Sequence, residues 1–277
     1  LSRQPIAQSK CGMLLFAKAD DKPDRMARAM ELLKPDPRAL RPVDATEAAH
    51  LASVTLPRQN ALFCPQSGWV NVSDLTHALL NQPNINLRTQ QPVQSLANTQ
   101  TPIALCNGSG AEALLPPLAG TIQKVRGQVT HLPPQPASQD LRTILCYGGY
   151  LTPAIDGQHH IGATYEHWRD DVIVDASSHD YNLQKLHTFL GIHTPKPETL
   201  SGWAAFRSVC KDRLPMVGLW DQQIGCNLAH ASKGLLTCLL SGEYLASQWF
   251  GEPLPLPRHV ANILSPHRFG LTGKNQG

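Results

Sequence analysis

Arg126 and Arg207 are the side chains of this 277-residue sequence best placed to do chemistry. Each stands in an apolar, strand-like run, VRGQV (125–129) and AAFRSVC (204–210). An arginine in such a place must find an anion, because an unpaired buried charge is very costly. Its planar fork suits a carboxylate held by two parallel hydrogen bonds. That carboxylate belongs either to a substrate or to an Asp or Glu of the chain, and the residues leave both readings open. Tyr147 and Tyr150 flank Gly148-Gly149 and either cover a planar ligand or pack. The turn Ser232-Lys233-Gly234-Leu235 feeds an apolar helix, so free N–H groups and the positive dipole end face whatever docks there. An ordinary helix cap is the alternative. Asn107-Gly108-Ser109-Gly110 follows the short apolar strand 103–106, the place where open α/β sheets hold ligands. An ordinary turn is again the alternative.

Other chemistries find little support. No Ser-His-Asp order, paired-carboxylate motif or HExxH spacing stands out among the twelve histidines. His159-His160 follow a turn and are expected at the surface. The seven cysteines are scattered with no CxxC pair, which argues against a zinc site or disulfide framework and fits reduced thiols in a cytoplasmic protein. The net charge of +3 is mild, and no run of Lys or Arg forms a basic stripe. No apolar run approaches membrane-spanning length, and no signal peptide is visible. An enzyme built this way would leave the chemistry to a cofactor. No GxGxxG follows a strand and the chain starts at Leu1, so it either needs no dinucleotide or lacks an upstream piece.

The elements that must position these residues read as a mixture. A strand is predicted at 12–18 and a helix at 23–34, opened by Pro23 and stopped by Pro35. Asp44 and Glu47 form a capping box for a helix through Leu51. Residues 60–72 read as strand and loop, and Ser73 as the cap of a further helix. The Gln/Asn/Thr/Pro-rich segment 81–102 suggests two edge strands or a loop. Residues 121–132 and 141–151 read as strands, with Gly127 marking a bulge or a close approach. Asp156-Gly157 is a hairpin turn and HHIGATY the returning strand. Asp180 caps a helix ending at Gly191. A strand-and-turn stretch from Gly202 leads to a helix that Ser232 caps, Lys233 and Gly234 open and Gly251 closes. Parallel-type pieces at 103–110 and 224–250 with an antiparallel sheet between them predict two interleaved domains, one α/β and one α+β.

Several motifs in one order carry a family resemblance: VRGQV (125–129), LCYGGYLTP (145–153), IGATY (161–165), DRLPMVG (212–218) and EYLASQWFGEPLPLP (243–257). NALFCPQSGW (60–69) and SPHRFG near the end agree with them. Together they resemble, from about Cys11 to Phe269, the FAD-dependent oxidoreductase domain of the bifunctional tRNA 5-methylaminomethyl-2-thiouridine biosynthesis proteins, MnmC. That domain is similar to the D-amino-acid-oxidase-like flavoproteins. The resemblance implies a partial FAD-binding domain of Rossmann type interleaved with an antiparallel-sheet substrate domain. It places the substrate domain mainly at 1–100 and 121–200, the FAD domain at 101–120 and 201–252, and a tail at 253–277.

The resemblance also implies FAD as cofactor and the wobble uridine of a tRNA as partner. The reaction it implies is oxidative removal of the carboxymethyl arm from 5-carboxymethylaminomethyluridine, leaving an aminomethyl group. In the full family protein another domain, absent here, then methylates that amine with S-adenosylmethionine. Arg207 matches a family arginine and is the first choice for the substrate carboxylate, followed by Arg126, Tyr150 and Tyr147. Asn107 and Gly108, then Leu214, Pro215 and Gly218, then Ser232, Lys233, Gly234 and Leu235 are implied to lie along the cofactor. The sequence departs from the family pattern in lacking the N-terminal glycine fingerprint, and in carrying Ala231-Ser232-Lys233-Gly234 where the family has glycine-serine-arginine-glycine. It is therefore expected to be the C-terminal portion of a longer protein. A glycine- or sarcosine-oxidase-like enzyme and a fragment without flavin are the rival readings.

Overall fold

The computed structural model describes residues 5–17, 25–97, 101–193 and 195–271. In chain order the elements are β1 (Gln8–Ser9), β2 (Met13–Phe16), α1 (Arg25–Leu33), β3 (Arg41–Val43), α2 (Ala45–Ala52), β4 (Ala61–Cys64), β5 (Trp69–Val70) and α3 (Val72–Leu80). There follow β6 (Ile103–Leu105), α4 (Ala111–Leu114), β7 (Ile122–Leu132), β8 (Ile144–Cys146), β9 (Tyr150–Leu151), β10 (His159–Gly162) and α5 (Ala176–Leu190). The last are β11 (Ser201–Cys210), β12 (Met216–Leu219), β13 (Ile224–Leu228), α6 (Gly234–Phe250) and α7 (Arg258–Leu264). The chain divides into two compact units. One holds Leu1–Thr89, Gln128–Thr164 and Ile173–Ala204; the other holds Gln90–Gly127, Tyr165–Val172 and Ala205–Gly277.

In the first unit the strands run in the order β7-β10-β9-β8-β2-β4-β3, with β11 beside β7. The hairpin predicted from Asp156-Gly157 forms: Ile155 bridges Gln158 across the turn, and β10 returns antiparallel to β9, with Ile161 opposite Leu151; on its other side β10 pairs with β7, Ile161 opposite Thr130. β2 and β8 pair in parallel, Met13 opposite Ile144. Leu14, Leu132, Leu145, Leu151 and Ile161 turn inward and meet Leu183 and Leu186 of α5 in one core. The run 141–151, predicted as one strand, is two. β8 and β9 pair with each other through Cys146 opposite Tyr150. Gly148, at φ +97°, makes the tight turn between them, a conformation that glycine adopts freely.

Three predicted helix starts are corrected. Asn71, not Ser73, caps α3, its Oδ1 accepting from the N–H of Ser73 at 2.9 Å. Asp175, not Asp180, caps α5, one turn and more upstream, accepting from Ser178 N–H at 2.9 Å. Lys233, not Ser232, stands at the N-cap of α6, and no side chain caps that helix. The Asp44 cap of α2 and the left-handed glycines that close α5 and α6, Gly191 and Gly251, are as predicted. No strand forms in the described part of 81–102 before β6. Pro23 lies outside the described residues. His159, expected at the surface, is fully buried and donates from Nδ1 to the carbonyl of Thr152 at 2.7 Å.

The second unit carries a small sheet, β12-β13-β6. β6 and β13 are parallel, with Ile103 opposite Ile224 and Leu105 opposite Cys226. Leu105, Leu118, Met216, Cys226 and Leu228 form its core. Parallel pairing puts the carboxyl ends of β6 and β13 at the same edge. Each strand then turns into a helix, β6 through 107–110 and β13 through 229–233. Among the described residues, no helix is long and apolar enough to cross a membrane, and no group of three or more His, Cys, Asp or Glu is placed to hold a metal ion.

Candidate functional site

Ser208 ties the two strand-end turns of the second unit together. Its hydroxyl accepts from the N–H of Ser109 at 2.9 Å, and its carbonyl accepts from the N–H of Ala231 at 3.1 Å. Gly108 takes a left-handed φ of +59°, and a Cβ there would meet the Ser208 Oγ at 2.6 Å. Asn107, Gly108 and the turn before α6 are thus brought to one strand, β11, from sites more than a hundred residues apart. Helix α6 starts there with its first N–H groups uncapped by any side chain. Gly234 has room beside it: a Cβ would find its nearest atom, His230 Cβ, at 3.7 Å. His230 is fixed beneath the turn by Asn227 Oδ1 and Thr237 Oγ1, both at 2.8 Å.

Three more of the residues expected along the cofactor, Gly218, Leu214 and Pro215, lie on β12 and the loop before it. Gly218 is buried in β12 against Gln248 and Tyr244, on the latter half of α6. At about 1.5 Å of rise per residue, Tyr244 is roughly 15 Å along the helix from Gly234. Leu214 and Pro215 lie on a loop fixed by the Asp212–Arg268 ion pair at 2.7 Å, with Arg268 also donating to the Leu214 carbonyl at 3.0 Å.

The residue before Ser208 is Arg207. Its guanidinium lies against Gly127 of β7. A Cβ at Gly127 would come within 2.6 Å of Cζ and Nη2, and closer to Nη1. The close approach expected at Gly127 is therefore made by a side chain. On its other side the guanidinium stands over the ring of Tyr165, 5.6 Å from the centroid. Tyr165 in turn meets His167 edge-on at 5.0 Å.

Arg126, next to Gly127, has a different environment. Its side chain is fully buried and ion-paired with Glu166, with Asp171 at 3.8 Å. The backbones of Arg126 and Glu166 exchange both hydrogen bonds, at 2.9 and 3.0 Å. Arg169 grips Asp171 with a two-pronged contact at 2.7 and 3.0 Å. Of the two partners open to Arg126 from the sequence, the chain's own carboxylates are the ones it meets. The ion pair holds the segment that carries Tyr165. That segment was missed from the sequence. Its only signal was the charged run EHWRDD directly after IGATY.

Tyr147 and Tyr150 belong to the first unit. The Tyr147 ring stacks on Phe189 of α5 at 4.5 Å, the two planes nearly parallel, and its hydroxyl donates to the Tyr150 carbonyl at 3.4 Å. Burial pushes the Tyr147 phenol well above its usual range. The Tyr147 contact with Phe189 is one of packing. The same unit buries a polar cluster that sequence reasoning did not find. Thr130 Oγ1 meets His179 Nδ1 at 2.8 Å, and Asn182 donates to Thr130 Oγ1 at 3.1 Å and to the Gln128 carbonyl at 3.0 Å. Desolvation lowers the pKa of His179.

Residues 2–248 match the family model described as FAD dependent oxidoreductase. A relative from Pseudomonas putida, named tRNA 5-methylaminomethyl-2-thiouridine biosynthesis bifunctional protein MnmC, is 32% identical over 94% of this chain and 47% of its own length. The protein of the same name from Ectopseudomonas mendocina is 33% identical over the same shares. The chain thus spans about half the length of the curated relatives it matches, and the resemblance expected from its motifs is borne out. Among solved structures, glycine oxidase from Geobacillus kaustophilus superposes with a TM-score of 0.79 at 18% identity, over 98% of this chain and 77% of its own. L-proline dehydrogenase from P. horikoshii gives 0.78 at 14%, over 96% and 78%. At such identities the likeness is one of fold, and it bears out the fold class expected from the sequence.

Proposed function

The chain belongs to the FAD dependent oxidoreductase family, and from that premise we propose that it acts on the 5-carboxymethylaminomethyl group of a tRNA wobble uridine, removing the carboxymethyl arm. The observation that carries the reading is Arg207. It is a guanidinium held between Gly127 and the Tyr165 ring, in a chain about one-third identical to proteins named for that uridine's biosynthesis.

The residues present fit the flavin end of FAD. An uncapped helix start with open space at Gly234 suits the electron-rich pyrimidine edge of a flavin. Asn107, Gly108, Ser232, Lys233, Gly234 and Leu235 would hold it there, with Leu214 and Pro215 at its border. When bound, FAD supplies an acceptor for the hydride of the carbon between amine nitrogen and carboxylate.

The chain's own residues do the rest. Arg207 binds the carboxylate through two parallel N–H···O bonds, as only a planar fork can. Binding fixes the carboxymethyl carbon and pre-orders the reacting atoms, a contribution that reaches several orders of magnitude in favourable cases. It also removes the negative charge that keeps the neighbouring amine protonated, so the amine more readily takes the neutral form that can lose a hydride. The amine then gives up its N–H proton to solvent. Water adds across the resulting C=N bond and splits it into glyoxylate and the aminomethyl nucleoside.

The fold shared with glycine oxidase favours a second reading, oxidation of free glycine or N-methylglycine. The protein, supplied with FAD, should convert 5-carboxymethylaminomethyluridine in tRNA to 5-aminomethyluridine with one glyoxylate released per nucleoside, followed by nucleoside mass spectrometry. Free glycine turned over with a higher kcat/KM than the tRNA would overturn the proposal in favour of the second reading.

A further inference from the structure

We propose that Tyr165 and Trp168 form an aromatic shelf that receives the planar base of the substrate, so that the site takes a modified nucleoside in preference to a free amino acid. The inference rests on the reading of Arg207 as the carboxylate holder. Tyr165 is 44% exposed and Trp168 77% exposed. Rings of this size normally bury most of their surface. Here they stand in water on a segment that is firmly anchored. The Arg126–Glu166 ion pair and the doubled backbone bonds between the same two residues hold one end of it. The Arg169–Asp171 contact clasps the turn that follows.

The Tyr165 ring is fixed from two sides, by the guanidinium of Arg207 at 5.6 Å and by the His167 ring edge-on. An arginine that holds a carboxylate therefore has an exposed ring as its immediate neighbour. In a substrate with a carboxymethylaminomethyl arm, the base lies only a few bonds from the carboxylate. A neutral pyrimidine ring splayed out of an RNA loop is recognised chiefly by stacking on aromatic side chains. Glycine and N-methylglycine have no ring and gain nothing from the shelf.

The test compares two ligands with the same arm, 5-carboxymethylaminomethyluridine nucleoside and N-methylglycine, binding to the FAD-supplied protein by calorimetry. Tyr165→Ala and Trp168→Ala should each weaken the nucleoside about tenfold or more, within the range for loss of one stacked base. N-methylglycine should be held as before, and Tyr165→Phe should retain nucleoside affinity. The nucleoside should quench tryptophan fluorescence in the unchanged protein and much less in Trp168→Phe. Equal weakening of both ligands, no weakening of either, or no nucleoside binding by the unchanged protein would overturn the shelf. Arg207→Ala separates the two readings. If it leaves the affinity for N-methylglycine unchanged, the carboxylate assignment fails, whatever the ring variants do.

Discussion

Gly127→Ala is the sharpest test of where Arg207 is held. Gly127 sits inside strand β7 with a φ that any residue adopts, so an added methyl meets no backbone objection. What it meets is the Arg207 guanidinium, with Cζ and Nη2 at 2.6 Å. Ordinary contact starts near 3.4 Å, so Cζ and Nη2 must retreat by about 0.8 Å and the nearer Nη1 by more. The obstacle is the far end of a flexible side chain, which moves cheaply. Replacing glycine by alanine at a compatible position stabilises by about 0.4–1 kcal/mol through the unfolded chain. The melting temperature should therefore hold or rise slightly. The guanidinium loses its seat, and misplacement of about 1 Å can cost on the order of a hundredfold. A lost charge-assisted hydrogen bond is worth about 1.5–3 kcal/mol, which at about 1.4 kcal/mol per decade raises KM for the carboxylate substrate roughly ten- to a hundredfold. The assay is steady-state kinetics beside thermal melting, with Arg207→Ala as the reference for complete loss. An unchanged KM would refute the seat. So would a stability loss of several kcal/mol, because the obstacle would then be the backbone and not a side chain that can move.

Glu166→Ala leaves the buried Arg126 guanidinium with Asp171 at 3.8 Å and should cost about 3 kcal/mol, the low end for breaking a buried pair; urea unfolding that shifts by less than 1 kcal/mol would show the pair to be dispensable. Gly234→Val should fold and melt normally, since the chain leaves room there, yet lose flavin absorbance after gel filtration if the cofactor lies on that turn. Burial lowers the pKa of His159 and of His179 below the usual 6.5. The unfolded chain thus binds more protons than the folded one, and stability should fall as pH drops from about 6.5 through the folded pKa values. NMR titration should show both imidazoles taking up their proton below the usual 6.5; ordinary titration near 6.5 would remove them as the cause. Cys226, pushed up to about 12 by burial, should stay unreactive to iodoacetamide at pH 8, and rapid alkylation in the folded protein, read by peptide mass spectrometry, would contradict its burial.

The sequence disclosed those parts of the fold that rest on local chemistry. The Asp156-Gly157 turn announced the β9–β10 hairpin, and Gly191 and Gly251 announced two helix ends because a left-handed closing residue favours glycine. The helix starts were harder, since any of several Asp, Ser and Asn residues can accept from the first turn, and the choice of Asn71 over Ser73 is made by the backbone, which is extended at Asn71 and already helical from Val72. The parallel partnership of β2 with β8 joins positions about 130 residues apart and leaves no trace in periodicity. At the site, Arg126 and Arg207 were visible as charges in apolar runs, and Gly127 as a glycine in a strand. Tyr165 and Ser208 were not. Their importance comes from what lies across from them, a guanidinium in one case and two turns in the other. Along α6, Leu235, Leu236, Leu239 and Leu240 are exposed, and the helix packs through Ser241, Tyr244, Leu245 and Ser247.

The two arginines show why residue type alone could not assign the site. Both stand in strands and both need an anion. Arg126 is sealed from water, where a charge without a partner is intolerable, so the chain must supply the carboxylate itself and does so with Glu166 and Asp171. A side chain so committed cannot release its partner to bind a substrate without leaving charge stranded in the interior. Arg207 is only half-buried and rests on a glycine and the face of a ring. A ring face steadies a guanidinium from one side. The buried arginine therefore fixes the 165–172 segment, the segment places the ring, and the ring steadies the second arginine. Replacing Arg126 and Glu166 together by a well-packed apolar pair should keep the protein folded while raising KM. If KM stays unchanged in a folded double variant, then Tyr165 and Arg207 hold their places without the buried pair, and the chain of support from Arg126 to the substrate is broken at its first link.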